Sequence, residues 1–376
     1  MVTLESSVGN YITLKNKRYS YFAGNNYLGL ANHPALTEEA VRALKTYGVN
    51  FSASRQTTGT SALHLELEKL LAEFKNSGDA ITFATGYLGN MLLFRALENR
   101  YSAIIADSMA HPSIIDGIPG NVSNVRFYNH CNIDHLEDQL KKLSKHRPLI
   151  ITDGIFALTG EIAPLDRIYY LAQKYNAILV VDDAHSTGVL GKNGRGTLEY
   201  FNMEGADNIF QSETMSKAFG AYGGFISADK EIIHKIRTGS TFYSASTALP
   251  PPVVAAGIAA VKLIKQHPEL RNRLLENACL VRTGVKEVGF STTSDNTPII
   301  PIFFNRPESA KSLSEFLEKN FIIAPSVDYP VKTDKFIVRI TVSANHTEEQ
   351  IGQLLIFLKN WRDSHGEDHA KTILLK

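Results

Sequence analysis

The chain reads as an α/β protein: a large domain built on a mainly parallel sheet, then a small α+β C-terminal domain. Two observations lead there. Short, largely apolar runs (Ala80–Phe83, Ala103–Ala106, Leu149–Thr152, Ala177–Val181) alternate with helical stretches, as strands covered on both faces do. After Pro250-Pro251-Pro252 the alternation changes character, with a long helical tract and then a few strands and helices in another rhythm. The implied division is an N-terminal arm over residues 1–35, a large domain over 36–260 and a small domain over 261–376.

Residues 1–22 have strand-like alternation at Tyr11–Leu14 and Tyr19–Phe22, and Gly24–Leu30 is a turn. Thr37–Leu44 has helical periodicity with acids in its first turn. After the polar loop Ser52–Thr60, an amphipathic helix runs from about Ser61 to Lys75, its apolar face at Leu63, Leu67, Leu70, Leu71 and Phe74. Helices are expected at Tyr87–Leu97 and Leu165–Tyr175, with weaker strands at Asn208–Phe210 and Gly224–Ser227. The tract from about Val253 to Val288 is interrupted near His267-Pro268. Strand Ile299–Phe304, helix Ala310–Lys319, strand Lys335–Thr341 and helix Thr347–Trp361 follow, and a charged tail lies beyond Arg362.

Composition excludes several functions. With 39 basic and 38 acidic residues the net charge is +1, so there is no basic field for nucleic acid. Cys131 and Cys279 lack a CxxC partner, which argues against a disulfide framework or metal cluster and for a reduced, cytoplasmic setting. Met1–Asn10 carries no export signal, and no apolar run reaches the roughly 20 residues of an integral membrane segment. Without export, the glycosylation-like triplets at Asn50, Asn121 and Asn345 are chance matches.

Five segments carry candidate chemistry. Lys217 lies in Ser212–Gly224 between small and hydroxyl residues with glycines after it, room for a planar group against the backbone. A lysine in such a pocket can lose its proton and condense with an aldehyde; an ordinary loop lysine is the plainer reading. Asp182 falls where the strand Ile178–Val181 ends, the edge at which open parallel sheets bind ligands. Its carboxylate can hold a proton on a ring nitrogen, with His185 reaching the ring's edge; alternatively Asp182 or Asp183 caps the next turn. A metal set of Asp182, Asp183 and His185 is the weaker option, having no further ligand cluster nearby.

In Phe83–Asn90 a strand meets a helix start, where Gly86 lets a phosphate approach free N–H groups and Tyr87 could edge against a ring. The segment is neither a Walker loop nor a dinucleotide fingerprint, and it could be a plain βα turn. His111 also follows a strand and could stack on a flat cofactor or cap its own turn. Arg339 is a lone cation in the apolar run Phe336–Thr341, so it needs a carboxylate partner from a substrate or from the chain itself.

Together these segments resemble the α-oxoamine synthase family of pyridoxal 5'-phosphate (PLP) enzymes, of the fold type I, aspartate aminotransferase-like group. The resemblance runs from about Tyr21 to Phe357. It rests on Asn26–Leu30, Ser54-Arg55 with Gly59-Thr60, His64–Glu68, Thr85–Tyr87, His111–Gly117, Gly160–Leu165, Val181–Gly188, Gly194–Gly196 and Thr214–Gly220. It implies that Lys217 carries PLP covalently, Asp182 pairs with the pyridine nitrogen, His185 meets the ring oxygen and His111 stacks over the ring. Gly86, Tyr87 and Thr214 would hold the phosphate, aided by Ser246 and Thr247 from the partner subunit of a homodimer with a shared active site. Arg339 would take the amino-acid carboxylate, and Asn26 would lie where substrate enters. The implied reaction condenses an amino acid with an acyl-CoA thioester, expelling coenzyme A and carbon dioxide and leaving an α-amino ketone.

The family's usual Phe-Ser-Met-(Asp/Glu)-Gly segment reads Phe156-Ala157-Leu158-Thr159-Gly160 here, so a ring-oxygen hydroxyl is missing at Ala157. One lost hydrogen bond is worth roughly 0.5–1.5 kcal/mol, too little to abolish binding. The N-terminal region is also shorter than usual in the family. Asn25–Pro34 and Thr152–Gly154 are similar to the 2-amino-3-ketobutyrate CoA ligase branch, and Asp183–Gly188 to the 8-amino-7-oxononanoate synthase branch (alanine and a pimeloyl thioester). Ser216–Gly220 is similar to serine palmitoyltransferases, and autoinducer synthases share the fold. The 8-amino-7-oxononanoate branch is slightly ahead. An aminotransferase or aldolase on the same fold, and a PLP-binding protein without catalysis, are the other classes.

Overall fold

The computed structural model describes residues 3–327 and 333–365. The chain forms two compact units. One holds the described residues of Met1–Asn32, Ala157–Glu161 and Glu269–Lys376; the other holds His33–Phe156 and Ile162–Pro268. The N-terminal stretch groups with the C-terminal part, and the larger unit ends at Pro268. The reason is strand pairing. β1 (Tyr11–Leu14) and β2 (Lys17–Tyr21) form an antiparallel hairpin, and β2 pairs in parallel with Ile322–Ile323 of the C-terminal segment. Lys15 and Asn16, at φ 49° and 58°, make the two-residue turn whose twist suits a hairpin.

The larger unit is organised by seven strands: β3 (Asp79–Phe83), β4 (Ala103–Asp107), β5 (Val125–Tyr128), β6 (Pro148–Asp153), β7 (Ile178–Asp182), β8 (Ile209–Thr214) and β9 (Gly224–Ala228). Their order is β3-β9-β8-β7-β6-β4-β5, and β9 alone runs against the others. Successive residues of a strand point to opposite faces, and here both faces are apolar. Ile104, Ala106, Leu149, Ile151 and Val180 pack with Leu93 of helix Gly89–Ala96 and Ile233 of helix Lys230–Gly239. Ala103, Ile105, Ile150, Leu179 and Val181 pack with Leu136 of helix Ile133–Lys142 and Ile168 of helix Leu165–Lys174. Each such Ile, Leu or Val side chain, fully buried, contributes about 1.5–3 kcal/mol. This doubly covered sheet brings Asp107, Asp153, Asp182 and Thr214 to one edge, as the last residues of β4, β6, β7 and β8.

In the smaller unit, β10 (Ile299–Phe304), β11 (Ile322–Ile323), β12 (Ser326–Val327) and β13 (Phe336–Thr341) complete the strands, with order β10-β13-β12 in an antiparallel sheet. Its core joins Phe22, Val281, Ile302, Leu313, Val338, Leu354 and Trp361. Helix Glu348–Ser364 starts at a capping box between Thr347 and Gln350; the tail beyond residue 365 lies outside the described residues. Helices Pro251–Gln266 and Pro268–Val288 meet at the expected break.

Candidate active site

Asp182 ends a strand buried on both faces, and its own side chain stays inside at 6% exposure. A carboxylate there needs donors. Asn90 Nδ2 donates to Oδ2 at 2.7 Å and the Ala184 N–H to Oδ1 at 3.1 Å, with Ser113 Oγ 3.5 Å from Oδ2. Asp182 therefore caps its turn and also presents an oriented carboxylate at the sheet edge. Beside it on β6, Asp153 accepts the His111 N–H at 3.0 Å. Burial, then the charge of Asp182, pushes the Asp153 carboxyl well above the usual range.

His111 caps helix Pro112–Asp116, its Nδ1 accepting the Ser113 N–H at 3.2 Å and lying 2.8 Å from Ser113 Oγ. Burial pulls its imidazole below the ordinary value; Asp182 opposes that shift and Lys217 adds to it. The lysine's charge also lowers Asp153, so Lys217, His111, Asp153 and Asp182 share one electrostatic neighbourhood. The Tyr87 ring stands edge-on to His111 at 6.0 Å, and its hydroxyl donates to Asp116.

Lys217 sits in a closed loop. Met215 N–H bonds Gly223 O, Ala221 N–H bonds Met215 O, and Gly220 N–H bonds Lys217 O at 3.0 Å. Gly220 and Gly223, at φ 61° and 110°, take backbone positions that side chains disfavour. Thr214 Oγ1 donates to Gly223 O at 2.9 Å and accepts the Ser216 N–H at 3.1 Å, so its proton closes this loop. The expected helix at Tyr87 begins as a 3-10 turn, Gly86–Leu88. A Cβ on Gly86 would stand 2.8 Å from Thr214 Cβ, so the turn packs against Thr214 at a distance that only glycine allows.

His185, at 5% exposure, follows three residues after Asp182. Asp183 turns the other way, to Thr187 Oγ1 at 2.8 Å, to Thr197, and to Lys75 Nζ at 3.5 Å. The two aspartates thus serve separate networks. Among the described residues the metal-capable group is Asp107, His130 and Cys131 instead. Ser246 and Thr247 follow helix Thr241–Ser244; Ser246 Oγ donates to Phe242 O, and Thr247 bridges Ser54.

In the smaller unit, Arg339 on β13 donates to Ala157 O at 2.8 Å, Thr341 Oγ1 at 3.0 Å and Asn25 Oδ1 at 3.1 Å. Among the described residues its partners are neutral oxygens, with no carboxylate, so the internal salt bridge allowed by the sequence does not form. Asn26 is occupied by its own turn, donating to Val8 O and accepting the Ala31 N–H. Its neighbour Asn25 is the residue on Arg339. Asn25, Asn90, Ser113 and Asp153 were not singled out from sequence; the available signal for Asn90 was one amide in an otherwise apolar helix start.

These residues fit PLP. The Gly86 turn packs directly on Thr214 beside the lysine loop, the Asp182 carboxylate is oriented and buried, and Asn90 Oδ1 is a buried acceptor without a partner. No helix among the described residues is long and apolar enough to cross a membrane.

Comparisons agree with this geometry. Residues 20–358 match the model of the aminotransferase class I and II family. An 8-amino-7-oxononanoate synthase of Bacillus velezensis is 37% identical over 96% of this chain and 92% of its own. A lysine-to-alanine variant of serine palmitoyltransferase from S. paucimobilis, with a bound PLP–myriocin aldimine, superposes at TM-score 0.92 and 27% identity over 97% of this chain and 93% of its own. The 8-amino-7-oxononanoate synthase of Francisella tularensis gives TM-score 0.79 and 28% identity over 92% and 98%. The chain belongs to the α-oxoamine synthase family, PLP-dependent acyltransferases of fold type I.

Proposed function

We propose that the protein condenses alanine with a seven-carbon dicarboxylic acyl thioester, releasing the thiol and carbon dioxide and forming 8-amino-7-oxononanoate. The assignment follows from that product's carbon count. In a nine-carbon acid with a C7 ketone, C8 and C9 with the nitrogen are what alanine leaves on losing its carboxylate, and C1–C7 are the acyl part. The relatives of this name support that choice. The observation that carries the reaction class is the Asp182 carboxylate, fixed by Asn90 and Ala184 beside the charge of Lys217 and the neutral ring of His111.

When bound, PLP supplies an electron-withdrawing ring that makes the amino-acid Cα–H acidic. Lys217 Nζ would hold the cofactor and would be the base that moves the Cα proton. Asp182 would hold a proton on the ring nitrogen, and His185 would meet the ring oxygen. His111, kept neutral by burial, offers a flat uncharged face. The Gly86–Leu88 turn holds the phosphate with Tyr87, and Thr214 fixes the lysine loop beside it. Ser246 and Thr247 complete the phosphate site of the second subunit in a homodimer. Arg339, whose charge its neutral partners leave uncompensated, binds the substrate carboxylate.

The test supplies L-alanine and pimeloyl-CoA to the PLP-loaded enzyme, following free thiol and the product mass. Turnover that vanishes in Lys217→Ala is expected. Absence of thiol release with every amino acid tried would sink the reaction class. Likeness to serine palmitoyltransferases favours a second reading, serine with a long-chain acyl-CoA, read in the same assay.

A further inference from the structure

Next to the candidate site, at the end of β4, a second constellation has no role in this chemistry. Asp107, 1% exposed, accepts Met109 N–H at 2.8 Å, His130 Nδ1–H at 2.9 Å and Cys131 N–H at 2.9 Å. A carboxylate with these donors fixes the imidazole tautomer, because Nδ1 must carry the hydrogen it gives. Nε2 is then the basic nitrogen, and it faces Cys131 Sγ at 3.8 Å. Cys131 adopts φ 51°, a left-handed turn that brings the His130 ring and the Cys131 N–H onto the same carboxylate. The His130 ring is also held edge-on by Phe156 at 4.3 Å.

The same groups lie close enough for a metal ion, but their bonding is against one. Both Asp107 oxygens are engaged by N–H donors, and Nε2 and Sγ alone are two ligands where a closed zinc site has four. The order carboxylate, imidazole, sulfur is instead that of a base positioned to take a thiol proton. The other ionisable groups facing it are Tyr128, whose buried hydroxyl points toward Asp107 and Thr152 without completing a hydrogen bond, and Asp153 on β6.

We propose that Cys131 is an activated thiol and a modification site for soft electrophiles and peroxides, its proton passing to His130 Nε2 while Asp107 stabilises the imidazolium. With an alkyl halide the sulfur forms a C–S bond, halide leaves, and the thiol proton stays on His130. With hydrogen peroxide the sulfur attacks one oxygen, the O–O bond breaks, and the departing hydroxide takes the proton from His130. Sulfur is oxidised to the sulfenic acid and peroxide is reduced to water.

The exposed Cys279 is an internal control in the same chain. The PLP-loaded enzyme is alkylated with iodoacetamide at pH 6, 7 and 8, and the two cysteines are followed by peptide mass spectrometry. An ordinary thiol slows roughly 80-fold from pH 8 to pH 6. Cys131 is expected to slow less than about 5-fold, as an imidazole-paired thiolate does. His130→Asn should restore the steep fall. A wild-type Cys131 profile parallel to that of Cys279, no labelling of Cys131, or a shallow profile surviving His130→Asn each overturns the proposal. The wild-type profile decides even if the variant fails to fold.

Discussion

Asn90 and Asp182, 92 residues apart in sequence, are joined by a 2.7 Å hydrogen bond from the amide nitrogen to Oδ2. The helix behind β3 thereby aims the carboxylate at the end of β7. Removing the amide leaves Asp182 held by the Ala184 N–H and the longer Ser113 contact alone. A hydrogen bond to a charged group is worth about 1.5–3 kcal/mol, so Asn90→Ala should lower kcat by about 10- to 150-fold. PLP stays bound, as its absorbance would report. A kcat within a factor of two of wild type would show that the amide does not position the carboxylate.

Arg339 is the substrate's partner in the proposed reaction, and its three neutral acceptors orient the fork without neutralising it. Arg339→Lys keeps a charge but loses the planar two-point geometry. The expected result is a rise in the KM for amino acid of about 10- to 100-fold, with the KM for acyl thioester nearly unchanged. Arg339→Met should cost more. Equal effects on both KM values would instead indicate general loss of structure.

Lys75 is buried between Asp183 at 3.5 Å and Glu213 at 3.3 Å. Removing one member of such a cluster strands the others, at a cost of about 3–5 kcal/mol. Lys75→Met should therefore be strongly destabilised in urea unfolding at pH 8. Burial pushes the Glu213 carboxyl up to about 7, with Lys75 opposing the shift. At pH 5.5 Glu213 takes up a proton, and the cost of the substitution should shrink. A penalty independent of pH would remove Glu213 from the account.

The legible parts of this molecule were those where residue type and position agree. Asp182 could be read because a buried apolar strand stops at it, and Lys217 because glycines and hydroxyl residues surround it. The far half of β8 was missed: Gln211, Ser212 and Glu213 are polar yet buried, held by partners such as Lys75 and Ser227 that lie far away in sequence. Asn90 was invisible for the same reason, since only the fold brings it to Asp182. β5 and the helix Ile133–Lys142 are short and charged on one side, which weakens their pattern. The missing hydroxyl at Ala157 was legible; that the Ala157 carbonyl anchors Arg339 was not.

His346 gives the smaller unit a pH limit. It is 4% exposed, its ring stacks on Phe22 at 4.1 Å, its Nδ1 accepts the Ser343 N–H at 2.9 Å, and its Nε2 is 3.0 Å from Tyr21 O. This network uses the neutral ring: Nδ1 is an acceptor and would lose its bond on protonation. Burial accordingly pulls the imidazole down to about 4. The unfolded chain binds that proton near pH 6.5, so unfolding takes up a proton between the two values. Stability is fully present above pH 6.5 and declines as pH falls toward 4, by about 3 kcal/mol for this group alone. Denaturant unfolding of wild type and His346→Gln at pH 7 and pH 4.5 isolates it. The variant should be weaker at pH 7, because the Phe22 stack is lost, but the gap to wild type should narrow by about 2–3 kcal/mol at pH 4.5. A gap of the same size at both pH values would mean that His346 does not titrate in this window.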